Sequence, residues 1–360
     1  MINAIGRVAI LSGMLLPMHA FGQGCILTRS TAPVLGSQSS PTLEAGNYEL
    51  GLNFRHFKAD EQYSGGSGLN PVVMNTHTQV ISEMYYSELS ALYAWSQQLH
   101  LTANIPIILD ASSNRALPAG VVGSPRFEQS SSGVGDITFG ARYWLFNFQE
   151  TTDKNIGLGF SLKAPTGDSM ATDQFPNAAG NNITTRVVDQ SIQPGDGGWG
   201  FIISFEAFKA IGDFTLFASG SYLFNPDDQN DTYSPRSMLS AAGPSAIPAN
   251  VRYNTISDSY IARAGAAYPI AAIPGLSVSL AARIVGVPHS DAFGDSIGFR
   301  RPGYYVTLDP GLLYTRGKAT FSVTVPTRVH QYVGFQYGVA RDSTYADYLV
   351  EFSASYRFGE

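Results

Sequence analysis

The stretch YLVEFSASYRF, residues Tyr348–Phe358, places an aromatic or aliphatic side chain at every second position. The polar residues Glu351, Ser353, Ser355 and Arg357 lie between them. Side chains of a β-strand point alternately to its two faces, so this stretch forms a strand with one apolar and one polar face. A helix would instead need apolar residues three and four positions apart. The stretch predicts a β-strand whose two faces meet different surroundings.

The same alternation recurs along the chain, and no segment shows a sustained helical pattern. The segments that show it are Tyr48–Phe54, Tyr85–Trp95, Leu99–Ile107, Ile137–Leu145, Ile156–Leu162, Trp199–Phe205, Phe214–Tyr222, Tyr260–Tyr268, Leu276–Ile284, Tyr304–Tyr314, Phe321–Val325 and Tyr348–Phe358. We predict an all-β, antiparallel protein of about twelve strands. We expect the whole strands that contain these segments to be roughly 9–13 residues long, which is enough to cross a bilayer at a tilt.

The composition is unlike that of a soluble enzyme. Charged residues make up 14% of the 360 residues and aromatic residues 12%, whereas a soluble domain carries about 25% charged residues. Small polar residues interrupt the apolar ones, which excludes a bundle of membrane helices, since each needs about 20 consecutive apolar residues. The net charge of −6 gives no electrostatic support for a nucleic-acid partner. Cys25 is the only cysteine, so no intrachain disulfide can form.

Short and long connections alternate without exception between the predicted strands. The short ones are Ser96–Gln98, Asn147–Asn155, Ile211–Asp213, Pro269–Gly275 and Arg316–Lys318. The long, polar ones are Lys58–Thr76, Asp110–Ser132, Thr166–Gly198, Asn225–Ser257, Pro288–Pro302 and His330–Tyr345. Transmembrane barrels have short periplasmic turns and longer extracellular loops. The pattern therefore predicts a transmembrane β-barrel with both ends of the barrel segment on the periplasmic side.

Aromatic residues mark the ends of the apolar strand faces. They are Tyr48, Tyr85, Tyr93, Trp95, Tyr143, Tyr222, Tyr260, Tyr268, Tyr304, Tyr314, Tyr348, Tyr356 and Phe358. Amphipathic rings prefer the two interfaces of a bilayer, so this arrangement is typical of paired aromatic girdles. The core of a soluble sandwich would scatter such rings through the strand centres.

The N-terminus has the features of a secretory signal peptide. Arg7 precedes a short apolar run, and Ala20-Phe21-Gly22 resembles a cleavage site before Gln23. Pro17 interrupts the run, which is too short for a membrane anchor. We expect a signal peptide at 1–22, a periplasmic segment at 23–46 and the barrel at 47–358, in the bacterial outer membrane.

The charged residues of the strands fall on the polar face. A central Arg or Lys facing lipid would cost about 2–4 kcal/mol, so these side chains are expected to face the lumen together with two uncharged neighbours. The candidate lumen residues are Glu88, His100, Asn104, Asp136, Arg142, Lys163, Glu206, Arg263, Arg283, Asp309, Glu351 and Arg357, with Glu49 and Arg55 in the first strand. Both signs are present in comparable number, so strong ion selectivity is not indicated. A conducting pore and a salt-bridged plug both agree with this set.

One motif pair resembles a known family. Gly133-Val134-Gly135-Asp136 opens a strand, and a Gly-rich strand then ends in Pro165-Thr166-Gly167-Asp168. This pairing is similar to that of outer-membrane β-barrels assigned to the MetA pathway of phenol degradation and described as transporters. The close match covers residues 133–168. The resemblance implies a transporter with no catalytic residues; Gly359-Glu360, beyond the aromatic Phe358, departs from the usual barrel end.

These observations predict an outer-membrane channel that passes small hydrophobic or aromatic solutes. Its expected partners are outer-membrane lipids, the barrel-assembly machinery through the C-terminal strand, and the solute; no cofactor, metal or catalytic residue is expected. One alternative is a structural or partner-binding barrel with a plugged lumen. A less favoured alternative is an outer-membrane lipase or esterase, for which His100 and His289-Ser290 are the candidates, although neither has an obvious third member.

Overall fold

The computed structural model describes residues 43–240 and 242–359. Almost all of its regular structure is β. The strands are β1 (Tyr48–Ala59), β2 (Glu61–Ser64), β3 (Ile81–Ala94), β4 (Leu99–Ala116), β5 (Arg126–Val134), β6 (Thr138–Trp144), β7 (Lys154–Lys163), β8 (Thr172–Phe175), β9 (Thr184–Val187), β10 (Gly200–Ile211), β11 (Phe214–Phe224), β12 (Gln229–Tyr233), β13 (Tyr253–Thr255), β14 (Ser259–Pro269), β15 (Leu276–Val287), β16 (Gly303–Arg316), β17 (Ala319–Thr324), β18 (Thr327–Val333), β19 (Phe335–Gln336), β20 (Val339–Ala340), β21 (Asp342–Tyr345) and β22 (Leu349–Phe358).

The helices are short. They are α1 (Pro71–Asn75), α2 (Pro235–Met238) and the 3₁₀ turns Gln190–Ile192, Pro244–Ala246 and Ala249–Val251. Within the described residues, no helix is both long and apolar enough to cross a membrane.

One antiparallel sheet closes on itself. Its order is β1, β3, β4, β6, β7, β10, β11, β14, β15, β16, β17 and β22, and β22 pairs back with β1. β5 continues the position of β6 along β4, and β18 continues that of β17 along β16. The fourteen strands of the sheet therefore fill twelve places. The predicted fold class, an antiparallel barrel of about twelve strands, is confirmed.

Two of the twelve places contain an interruption. Between β5 and β6 the chain leaves the ladder at residues 135–137, and between β17 and β18 it does so at Val325-Pro326. Proline has no backbone N–H to give to a ladder, so Pro326 explains the second break. The first break contains Gly135 and Asp136 of the motif pair and is described below.

Turns at one end of the barrel are short and connections at the other are long. We call these the short-turn end, with residues 95–98, 145–153, 212–213, 270–275 and 317–318, and the long-loop end, with residues 60–80, 117–125, 164–199, 225–258, 288–302 and 334–348. The predicted loop Asp110–Ser132 is wrong in extent, because β4 runs on to Ala116 and β5 begins at Arg126. Where a strand extends beyond the lipid, both of its faces are polar. Ser112-Ser113-Asn114 therefore shows no alternation from which this extension of β4 could be predicted.

The outer wall is apolar. Large side chains at outward positions, such as Leu158, Phe160, Ile203 and Leu280, are each more than half exposed, although they lie in strand centres. A contiguous apolar band of this kind is incompatible with water and fits the hydrocarbon layer of a membrane. The predicted signal peptide, 1–22, and segment 23–42 lie outside the described residues.

Candidate functional site

The inner face of the wall collects the polar residues of the strands. Because side chains alternate, every second residue of each wall strand points into the lumen. Among the sequence-predicted lumen residues, Glu88, His100, Arg142, Lys163, Glu206, Arg263, Arg283, Asp309 and Glu351 are buried strand residues, Asp136 is buried in the β5–β6 break, and Asn104 and Arg357 are partly buried. The structure thus places the set inside the barrel rather than against lipid.

A group that we call the charge belt crosses the middle of the lumen. Its members are Arg55, Arg263, Arg283, Asp309 and Glu351. Arg283 donates from both Nη atoms to Glu351, each at 2.9 Å, and from Nε to Asp309 at 2.7 Å. Arg55 reaches Glu351 at 3.0 Å, and Arg263 reaches Asp309 at 3.2 Å. Buried ions persist only when they are paired, and here each carboxylate serves two arginines.

Further ion pairs flank the belt. Arg142 Nη2 lies 2.7 Å from Glu206 Oε1, and Arg357 Nε lies 3.0 Å from Glu49 Oε2 nearer the short-turn end. The charges of the lumen are therefore largely engaged with one another. An entering solute meets compensated charge and not a strong field of one sign.

Residues 188–196, which we call the inserted segment, are all buried and lie towards the long-loop end of the barrel. Val188 and Ile192 are almost fully buried and belong to a cluster with Tyr86 of β3, Ile108 of β4 and Tyr305 of β16. The cluster also contains Val285 of β15, which lies opposite β4 in the ring of twelve strand places. The segment therefore belongs to a buried cluster that bridges opposite walls of the barrel.

Two ion pairs anchor the inserted segment. Asp189 pairs with Arg115 of β4, and Asp196 pairs with Lys163 at the end of β7. Asp136 accepts the backbone N–H of Asp196 at 3.0 Å. The three carboxylates are buried, so the anchor forms in surroundings where ion pairs are strong and screening is weak.

The motif pair around Asp136 and Gly167 contacts the inserted segment and holds it in place. Asp136 also accepts the N–H of Gly167 at 3.0 Å, and Thr166 Oγ1 donates to the carbonyl of Gly135 at 2.8 Å. A Cβ on Gly167 would lie 2.7 Å from the Cα of Gly195, so only glycine allows this approach. Of the remaining motif residues, Gly133 is in β5, and Pro165 and Asp168 follow β7; the Asp168 carbonyl accepts from Gly195 N at 3.1 Å.

A carboxyl group in the long-loop end illustrates how closely that end is packed. Asp342 of β21 is buried and accepts a hydrogen bond from Gln62 Nε2 at 2.8 Å. Burial raises the pKa of Asp342 to about 6, and Arg301 opposes the rise. Desolvation therefore outweighs the attraction of the neighbouring arginine.

The other half of the lumen contains a cavity of about 360 Å³, the lumen cavity. Aromatic rings of Trp144, Phe208 and Phe217 line one side, on β6, β10 and β11. The facing side carries hydroxyl groups, and Glu206 and Arg263 also line the wall; the hydroxyl residues are Ser277, Ser279, Ser322 and Thr324. Ligand pockets commonly measure about 300–1,000 Å³ and combine apolar walls with a few polar groups. The lumen cavity has this character.

Trp144 is the largest side chain of the cavity, and its position is fixed on several sides. Its ring lies edge-on to Phe208 at 6.3 Å between centroids, and the Arg142 guanidinium lies 5.9 Å from its ring centre. Its indole N–H donates to His100 Nδ1 at 3.3 Å. The lack of a side chain at Gly157 makes space for the indole, because a Cβ there would lie 3.0 Å from the ring.

Sequence reasoning did not find the inserted segment or the aromatic side of the cavity. The inserted segment has no periodicity, and its Gln193-Pro194-Gly195 composition is that of any loop. Trp144, Phe208 and Phe217 occupy inward positions of their strands, where the alternation otherwise places polar residues. An apolar residue out of phase is the signal that could have located the cavity.

The residues considered for an enzyme have other contacts. His100 is engaged by the indole of Trp144. His289 Nδ1 lies 3.1 Å from Ser290 Oγ in an exposed loop, and the adjacent Asp291 is paired with Arg300. Within the described residues, no group of three or more side chains is arranged to hold a metal ion.

Fold and lumen together define a twelve-stranded membrane β-barrel with a polar interior. No family model matches the chain. An outer-membrane channel from Pseudomonas putida F1 aligns over 91% of this chain and 100% of its own, with 15% identity and a TM-score of 0.60. The toluene transporter TodX from Pseudomonas putida aligns with 12% identity over 89% of this chain and 92% of its own, and a TM-score of 0.38. At such identities the likeness concerns the fold alone.

Proposed function

We propose that this protein is an outer-membrane channel for small hydrophobic or aromatic solutes, which bind in the lumen cavity during passage. The main supporting observation is the cavity itself, in which three aromatic rings face a row of hydroxyls inside a membrane barrel. Ring stacking and apolar burial favour a flat, neutral solute there.

The state of the charges supports a neutral solute. Arg263 and Glu206 of the cavity wall are already paired with Asp309 and Arg142. An anion would have to compete with these internal pairs and lose its own hydration, which is costly in a buried site. Small aromatic solutes are also the class that the resemblance to the phenol-degradation family implies.

The proposed location is the bacterial outer membrane, with the short-turn end in the periplasm. Support comes from the apolar outer wall, the two lengths of connection and the signal peptide predicted from the sequence. The barrel-assembly machinery would recognise β22, whose Phe358 stacks on Tyr48 of β1 with ring centres 4.8 Å apart.

Binding and uptake in lipid vesicles test the proposal. We expect toluene to change the emission of Trp144 saturably in the reconstituted barrel, and benzoate to act more weakly. Trp144→Phe is the control, because Trp95 and Trp199 lie on the outer wall and remain in that variant. Absence of both a saturable change and protein-dependent toluene uptake would overturn the proposal.

The inserted segment favours a second candidate, a structural barrel with a plugged lumen. Val188 and Ile192 fill the lumen, and two buried ion pairs hold the segment. This candidate predicts vesicles sealed to toluene, and a phenotype that depends on the long loops 164–199 and 225–258. The same uptake measurement therefore separates the two functions.

A further inference from the structure

Four phenylalanine rings form a cluster on the outside of the barrel near the long-loop end. Phe160 of β7, Phe201 of β10 and Phe224 of β11 are at outward positions of neighbouring strands. The fourth, Phe293, belongs to the loop 288–302 between β15 and β16. We call these four residues the aromatic wedge.

The rings contact one another closely. Phe201 and Phe224 are stacked with centroids 4.8 Å apart and 11° between the planes. Phe293 lies 5.7 Å from Phe224 and 6.0 Å from Phe201. β14 separates β15 from β11 in the wall, so the loop crosses the outside of that strand to reach these rings.

Two carboxylates, one buried and one partly exposed, fix the loop on both sides of Phe293. Asp258 is fully buried and accepts the N–H of Ala292 at 2.8 Å. Asp228 accepts the N–H groups of Asp295 and Ser296 at 2.8 and 2.9 Å. The tip is therefore held in place, although Phe293 itself remains 52% exposed.

The position of the wedge indicates what covers it. Trp199, 55% exposed, directly precedes β10, and an indole at the end of a barrel strand is typical of the membrane interface. Phe201 lies two residues further into the strand, and the ring of Phe293 lies beside it, tilted by 50°. A rigid phenyl ring at that depth on an apolar wall meets lipid chains and not water.

We propose that the aromatic wedge is a lipid-binding site that inserts Phe293 among the acyl chains of the outer leaflet. The loop 288–302 then acts as an anchor that fixes the depth and rotation of the barrel near β10 and β11. This role is independent of solute passage, because the wedge lies outside the lumen.

Fluorescence quenching by lipid tests the site. Phe293→Trp is introduced into the full chain, which is reconstituted in vesicles of phosphatidylcholine brominated on the acyl chains. The control is Val122→Trp, at the tip of the tall hairpin between β4 and β5, where Val122 is 76% exposed. Emission is compared with that of the parent protein, which contains the same three native tryptophans.

We expect the added emission of Phe293→Trp to be blue-shifted and extinguished by the brominated lipid. The added emission of Val122→Trp should be red-shifted and extinguished by aqueous iodide instead. Iodide quenching of Phe293→Trp would overturn the proposal. A dimer in which neither quencher reaches the added tryptophan would also overturn it, because a second copy would then cover the wedge.

Discussion

The two halves of the lumen are built from the same strands and differ in what fills them. Towards the long-loop end, the inserted segment packs apolar side chains and ion pairs from wall to wall. Towards the short-turn end, the same alternation places polar residues on the inner face of the wall, and they surround a cavity of about 360 Å³. The filling at the long-loop end therefore comes from a loop, whereas the binding space comes from residues of the wall.

The strongest test of this contrast is to remove the filling. Replacing residues 188–196 with a Gly/Ser stretch of equal length deletes the contacts of Val188 and Ile192 and the anchors Asp189 and Asp196. We expect the current through single barrels in a planar bilayer to rise from near baseline to a stable open level. The same replacement at the exposed tip 118–124 should leave the current unchanged. A large current through the parent protein would contradict the expectation that the inserted segment blocks the lumen to ions.

The charge belt, which separates the halves, should be sensitive to loss of one anion. Glu351→Gln leaves Arg55 and Arg283 without their main partner in a buried site, and we expect a loss of about 3–5 kcal/mol in the free energy of unfolding. Denaturant titration in lipid vesicles measures it. Glu49→Gln removes the partner of the partly exposed Arg357 and should cost at most about 1 kcal/mol. Equal losses of stability in the two variants would show that the charge belt contributes no more than an ordinary ion pair.

The aromatic side of the lumen cavity should set solute affinity. Phe217→Ala removes a ring from the cavity wall, and we expect toluene to bind more weakly by about 1–2 kcal/mol, close to tenfold. Titration of Trp144 emission measures this. Phe139→Ala removes an outward ring of β6 that is 46% exposed and should not change affinity. An equal effect of both variants would mean that toluene binds outside the lumen.

A smaller effect is expected from pH at the long-loop end. The pKa of Asp342 is raised to about 6 in the folded protein, so folding favours the proton, and its contribution to stability grows as pH falls from 7 towards 4. Asp342→Asn, which cannot titrate, should be more stable than the parent at pH 7 by about 1–2 kcal/mol, and the advantage should vanish near pH 4. The unfolding midpoint at several pH values measures it. A constant difference would exclude this origin.

Much of the fold follows from one short-range property. The alternation in residues such as Val350, Phe352 and Ala354 is dictated by the lipid outside and the polar lumen inside, so it predicts strand and face together, while the lengths of the connections predict the barrel. The placement of Glu351 and Arg283 on the inner phase follows from the same rule. Their pairing does not, because it depends on which strands meet across the lumen.

The inserted segment and the lumen cavity could not be predicted from this alternation. Asp196 reaches Lys163 because a loop bends inward, and no periodicity in the loop records the bend. Phe208 and Phe217 break the polar phase of their own strands, but the phase alone does not show that they face one space. Contacts between residues distant in the sequence decide both features.

The pairing of β22 with β1 has a consequence for assembly. Arg55 and Glu351 are 296 positions apart, and Glu351 is on the last strand to be made. Without that strand, Arg55 and Arg283 lack the anion that they share in the closed barrel, although Arg283 keeps Asp309. An incomplete barrel therefore lacks these ion pairs as well as having unpaired strand edges. The final strand delivers both the seam and the counter-charge, so the chain carries a checkpoint for its own completion.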